Sequence, residues 1–130
     1  MGQLGCAVKV LIVDDCHDSA WTLSRVLTLH GYESNCANSG KEALVLANTW
    51  LPDVVIMDMS MPGPDGYETA RSMRQLPGMG NVRVIALSGN IDNVLRRETS
   101  GIHEHLMKPT AIPQLLAILK AFKSVHSVTA

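Results

Sequence analysis

Apolar and polar positions along the chain alternate between two textures. Short, almost unbroken apolar runs cover residues 8–13 (apart from Lys9), 53–57 (apart from Asp53) and 82–87 (apart from Arg83), and each reads as a buried strand. Between them the apolar positions are spaced as on one face of a helix. Ala20, Leu23, Val26, Leu27 and His30 form the first such stripe, with Asp18 or Ser19 as the expected cap and Gly31 as the stop. The second follows Ser39-Gly40-Lys41-Glu42, which has capping-box spacing. It runs through Ala43, Leu46, Ala47 and Trp50 to a stop at Leu51-Pro52. Residues 32–37 are more polar and suit an edge strand.

Pro62-Gly63-Pro64-Asp65-Gly66 predicts a loop. Asp65 and Glu68 predict the start of a third helix reaching about Gln75, and residues 76–81 a further loop. Residues 92–100 predict a short fourth helix of weak amphipathicity closed by Gly101, and residues 104–107 a brief last strand. Ile112, Leu115, Leu116, Leu119 and Phe122 line a final helix. Residues 1–7 are expected to be a loose lead-in, 8–125 one domain, and 126–130 a frayed tail.

Five β/α units in alternation specify a parallel sheet with helices on both faces. Right-handed crossovers bring the strand ends to one edge, which is where open α/β sheets place their sites. Asp14, Asp15, Asp58, Ser88 and Lys108 all fall at such ends, contributed by strands 1, 3, 4 and 5. The second strand contributes nothing chemical. One Asp at a strand end reads most simply as a cap or turn former. Three together repel one another unless a cation lies among them, and carboxylate oxygens suit Mg²⁺. Asp58 is also a possible nucleophile, since carboxylates form acyl-phosphates. Lys108, Ser88 and the backbone N–H groups of Met59 and Ser60 are candidate donors to phosphate oxygens.

Composition removes several other classes. Eleven Lys and Arg against twelve Asp and Glu give a formal charge of −1, with no basic excess for nucleic acid or an anionic membrane. No apolar run nears the roughly 18 residues of a membrane helix. Cys6, Cys16 and Cys36 are odd in number and form no CxxC, so a reduced, cytoplasmic setting is expected. His17 beside the acid pair reads as a solvated loop residue, Cys16 as packing or neutral, and the other histidines lack zinc-ligand spacing.

The order of these motifs resembles the receiver domains of two-component response regulators over residues 8–125. The likeness is carried by Leu11-Ile12-Val13-Asp14-Asp15, by Asp58 with Met61-Pro62-Gly63-Pro64-Asp65-Gly66-Tyr67-Glu68, by Ala86-Leu87-Ser88-Gly89, and by Lys108-Pro109. It implies a flavodoxin-like, doubly wound (βα)5 sandwich whose five-stranded parallel sheet has the order 2-1-3-4-5. It further implies Asp58 as phosphoacceptor, Asp15 as a direct Mg²⁺ ligand, Asp14 acting partly through water, and the Ser60 carbonyl as a further ligand. Ser88 would be the switch hydroxyl and Lys108 the phosphate-binding lysine. The implied partners are a histidine kinase or histidine phosphotransfer domain, and a downstream protein bound on the face of the fourth helix, last strand and last helix. The chain would then be a monomer or weak homodimer.

Two positions depart from the usual pattern. Ser88 stands in place of the commoner Thr, and His105 where Tyr or Phe is frequent; an imidazole there would add pH sensitivity to a switch. Ser60 and Asn90 occupy positions that tune dephosphorylation. The motif style is closest to receivers attached to hybrid histidine kinases. Three other readings are a phosphorylation-independent protein-binding module, an Asp-nucleophile Mg²⁺ phosphatase and an FMN binder. The phosphatase would need a second Asp where Ser60 stands. The FMN binder would need a Ser/Thr-rich loop where Asp14-Asp15-Cys16-His17 stands.

Overall fold

The computed structural model describes residues 8–59, 66–88, 102, 104–107 and 112–128, with backbone only at Ser88, His105, Met107 and 123–128. Its elements are β1 (Lys9–Val13), α1 (His17–Leu29), β2 (Glu33–Ala37), α2 (Gly40–Trp50), β3 (Val54–Asp58), α3 (Gly66–Arg74), β4 (Arg83–Ser88), β5 (Glu104–Met107) and α4 (Ile112–Val128). The expected helix over 92–100 lies outside the described residues. The five strands form one sheet in the order β2-β1-β3-β4-β5, and every neighbouring pair is parallel. This is the doubly wound order that the resemblance to receiver domains implies.

Strand alternation divides the core in two. Leu11, Val13, Val55, Met57, Val84 and Ala86 pack with Ala43 and Ala47 of α2 and Ala70 and Met73 of α3. Val10, Ile12, Val54, Ile56, Ile85 and Leu87 pack on the other face with Ala20, Leu23 and Leu27 of α1 and Leu115 and Leu119 of α4. Central strands covered on both sides must be apolar at every position, which is why β1 and β3 read as unbroken runs. The two charged exceptions lie at strand starts. Lys9 Nζ donates to the Trp50 carbonyl at 3.2 Å, and Arg83 lies 3.8 Å from Glu104.

Local signals place most helix ends. Ser39 Oγ accepts from Glu42 N at 3.1 Å, as the capping-box spacing predicts. The reciprocal bond is displaced by one residue, because Glu42 Oε1 accepts from Asn38 N at 2.7 Å. Gly31 adopts φ +91° after α1 and Leu51 φ +53° after α2, the left-handed conformation that commonly terminates helices. Three boundaries differ from expectation. The N-cap of α1 is Cys16, with no side-chain cap, rather than Asp18 or Ser19. Gly66, expected in a loop, is the first residue of α3. The last helix runs past Val125 to Val128, since neither Gly nor Pro follows Pro113.

Gly66 has a packing reason. A Cβ there would collide with Met59 Sδ and lie 3.2 Å from Met57 Cγ, and Met57 is fully buried and cannot withdraw. Gly66→Ala is therefore expected to destabilise the fold by about 1–3 kcal/mol, despite the better helix propensity of Ala. A urea midpoint equal to or above wild type would contradict this.

Candidate functional site: an acidic cluster at the sheet edge

Asp14 directly follows β1 and Asp58 is the last residue of β3. Val13 is level with Met57 and Asp58 with Leu87, so neighbouring central strands finish side by side. Asp14 and Asp58 are buried, Asp58 at only 2% exposure, whereas Asp15 is open to solvent. One carboxylate oxygen from each of the three lies within 4.8 Å of the others. Hard oxygen donors converging at that spacing, two of them out of bulk water, form a donor set suited to a small divalent cation such as Mg²⁺.

The backbone around Asp14 is tied on several sides. Its N–H donates to the Ala37 carbonyl at 3.0 Å, continuing the β1–β2 ladder one residue past the strand. Its Oδ1 accepts from Cys16 N at 2.9 Å, an Asx turn that swings the chain into α1. The helix therefore begins at His17, and Asp18 and Ser19 fall inside its first turn rather than at its cap. The simple turn-forming role of a strand-end Asp is thus real for Asp14, and it coexists with membership of the cluster. The Asp14 carbonyl accepts from Asn38 Nδ2 at 2.9 Å.

Asn38 qualifies the expectation that the second strand contributes nothing chemical: one residue past β2, it brings a structural amide to this edge. Its signal in the sequence was an amide side chain one residue beyond a strand, at the same edge as the acids. What it bonds to depends on strand register, which local pattern does not reveal. Met59 needs a correction. Its N–H donates to the Leu87 carbonyl at 2.8 Å and extends the sheet, so it is not open to a phosphate oxygen.

The remaining expected residues are placed only in part. Ser88 ends β4, one residue beyond the partner of Asp58, and is level with Met107, the residue before Lys108. His105 lies within β5, level with Ala86. Ser60, Asn90, Lys108 and Pro109 lie outside the described residues, as do the side chains of Ser88 and His105. Cys36 lies close enough to feel Asp14. Burial pushes its thiol pKa up, the nearby Asp14 charge adds to this, and a hydrogen bond from Ser24 opposes it. Cys36 is therefore a neutral packing thiol rather than a nucleophile.

The chain is similar to known proteins over most of its length. The chain is 32% identical to the transcriptional regulatory protein PrrA of Mycobacterium leprae over 122 residues, 94% of this chain and 52% of that protein. It is also 32% identical to the response regulator MprA of Mycolicibacterium vanbaalenii over 114 residues, 88% of this chain and 49% of that protein. It thus spans about half the length of these relatives. Among solved structures, the chemotaxis protein CheY4 of Vibrio cholerae superposes with a TM-score of 0.85 at 29% identity, covering 89% of this chain and 98% of that one. The signal receiver domain of a signal transduction histidine kinase from Syntrophus aciditrophicus gives 0.81 at 30% identity, covering 91% of each chain. Neither the phosphatase nor the FMN-binding alternative draws support from these likenesses. The family model of the response regulator receiver domain matches residues 10–120, from the first strand through most of the last helix, and with the sheet order and acidic edge it makes this chain a receiver domain of the two-component response regulator family.

Proposed function

We propose that Asp58 accepts a phosphoryl group from a phosphohistidine of a histidine kinase or histidine phosphotransfer domain. The observation that carries this reading is the convergence of Asp14, Asp15 and Asp58 within 4.8 Å at the strand ends. An Asp58 carboxylate oxygen attacks phosphorus, the O–P bond forms as the N–P bond breaks, and the imidazole nitrogen leaves with its electron pair and takes up a proton. Asp14 and Asp15, with Asp58 and the Ser60 carbonyl, are the groups that would hold Mg²⁺. When bound, the ion neutralises charge on the phosphoryl oxygens and the attacking carboxylate.

This chain's own residues supply the rest. Asp58 is held by the sheet, since it pairs with Leu87 of β4 and directly follows Met57, which pairs with Val13 of β1. In-line attack depends on such positioning more than on covalent chemistry. Lys108 and the Ser88 hydroxyl are assigned to phosphate oxygens, a role supported by the register that brings Ser88 and Met107 to this edge. Movement of Ser88 toward the phosphate would bias the face of β5 and α4 toward a second state. That works only if the phosphate favours one state over the other. His105, in β5, is proposed to move with that face. Among the described residues no helix is long and apolar enough to cross a membrane, and the proposed partners are proteins.

The test is intact-mass analysis after incubation with Mg²⁺ and a small-molecule phosphodonor. Wild type should gain one hydroxylamine-labile phosphoryl group and Asp58→Asn none. A wild type that never gains the adduct would leave a protein-binding module that works without phosphorylation.

A further inference from the structure

We infer that Asn38 is a positioning residue for the cation site, acting through the peptide bond that joins Asp14 to Asp15. This rests on the proposal that the acidic cluster holds Mg²⁺. Parallel pairing places Val13 level with Ala37, so a continued ladder would pair Asp14 with Asn38. Asp14 N–H keeps to that ladder by donating to Ala37 O. Its carbonyl would next accept from the Ser39 N–H. Ser39 is instead the N-cap of α2, where the chain turns away from the sheet. The Asn38 side-chain amide donates in its place, at 2.9 Å.

That carbonyl belongs to the Asp14–Asp15 peptide, which is planar. Fixing its oxygen fixes the direction in which the Asp15 Cα leaves. Asp15 is exposed, so its position in the cluster is set by its backbone rather than by packing around it. Like charges within 4.8 Å push Asp15 away from Asp14 and Asp58, and the Asn38 bond opposes that displacement. Asn38 is itself anchored, because its N–H donates to Glu42 Oε1 at 2.7 Å in the first turn of α2. The path from helix to ligand is thus Glu42, Asn38, the Asp14 carbonyl and Asp15. Asn38 touches no metal ligand's carboxylate, and its effect is on geometry alone.

The experiment is calorimetric Mg²⁺ titration of the whole chain as wild type, Asn38→Ala and Ser39→Ala, with folding of each verified by circular dichroism. Loss of a residue that orients a ligand typically weakens metal binding by 10–100-fold, and about tenfold is expected for Asn38→Ala. Ser39→Ala removes the acceptor for Glu42 N and so loosens the Glu42 anchor of Asn38, but it keeps the amide that bonds the Asp14 carbonyl, so it should lose less Mg²⁺ affinity than Asn38→Ala. A second measurement is independent of metal. The Asp15 amide nitrogen resonance, on the far side of the peptide from the Asp14 carbonyl, should shift in Asn38→Ala and move less in Ser39→Ala. Equal Mg²⁺ affinity in wild type and Asn38→Ala, or an Asp15 resonance that does not move, overturns the assignment of Asn38. A wild type that itself fails to bind Mg²⁺ overturns the cation-site reading, and the role of Asn38 with it.

Discussion

Saturating Mg²⁺ is expected to stabilise the wild-type chain by about 2.7 kcal/mol at a free concentration one hundred times its dissociation constant. Asp58→Asn is expected to erase most of that response while making the metal-free chain more stable. Both follow from the same geometry. Three carboxylates lie within 4.8 Å of one another, and two of them are buried. Two unit charges at about 4 Å repel by about 4 kcal/mol at an effective dielectric of 20. Solvent around Asp15 and the interactions made by Asp14 and Asp58 reduce this, so relief of about 1–2 kcal/mol is expected on removing one charge. Asn keeps the shape and an acceptor oxygen but not the charge. Urea unfolding of both proteins, in chelator and in Mg²⁺, measures all four stabilities. A metal-free Asp58→Asn less stable than wild type would refute the repulsion argument.

Ile56→Ala is expected to lower stability by about 2–5 kcal/mol, the largest loss from any single truncation considered. Ile56 is fully buried on β3, the middle strand of the sheet, and is level with Ile12 on one side and Ile85 on the other. The three isoleucines share a core with Leu27 of α1 and with Leu115 and Leu119 of α4. Strands held by ladders on both sides cannot collapse into the space left behind, so the cavity persists. Ile56→Val, which removes only one methyl-sized group, should cost about 0.5–1.5 kcal/mol. The denaturation midpoint should fall with the slope unchanged if the native packing otherwise holds. A loss below that of Ile56→Val would mean the site relaxes around the missing side chain.

Helix starts show where local pattern stops being informative. The capping box at Ser39 and Glu42 was legible because its partners lie within one turn. The start of α1 was not, because the turn made by Asp14 brings the chain into the helix at His17, ahead of Asp18 and Ser19. Gly66 reads as a loop glycine by its neighbours, yet it opens α3 where β3 leaves no room for a Cβ.

By itself the sequence determined the alternation of strands and helices, since unbroken and helically spaced apolar runs reflect burial on two faces or one. It also determined which acids stand at strand ends, because Asp14, Asp15 and Asp58 each close an apolar run. Only the tertiary structure decided which backbone groups remain open at that edge. Pairing of β3 with β4 takes up the Met59 N–H, and the turn of β2 into α2 leaves the Asp14 carbonyl to the side chain of Asn38. Both outcomes depend on the register between strands far apart in the chain, and register is set by packing of the whole sheet against its helices rather than by any residue's near neighbours.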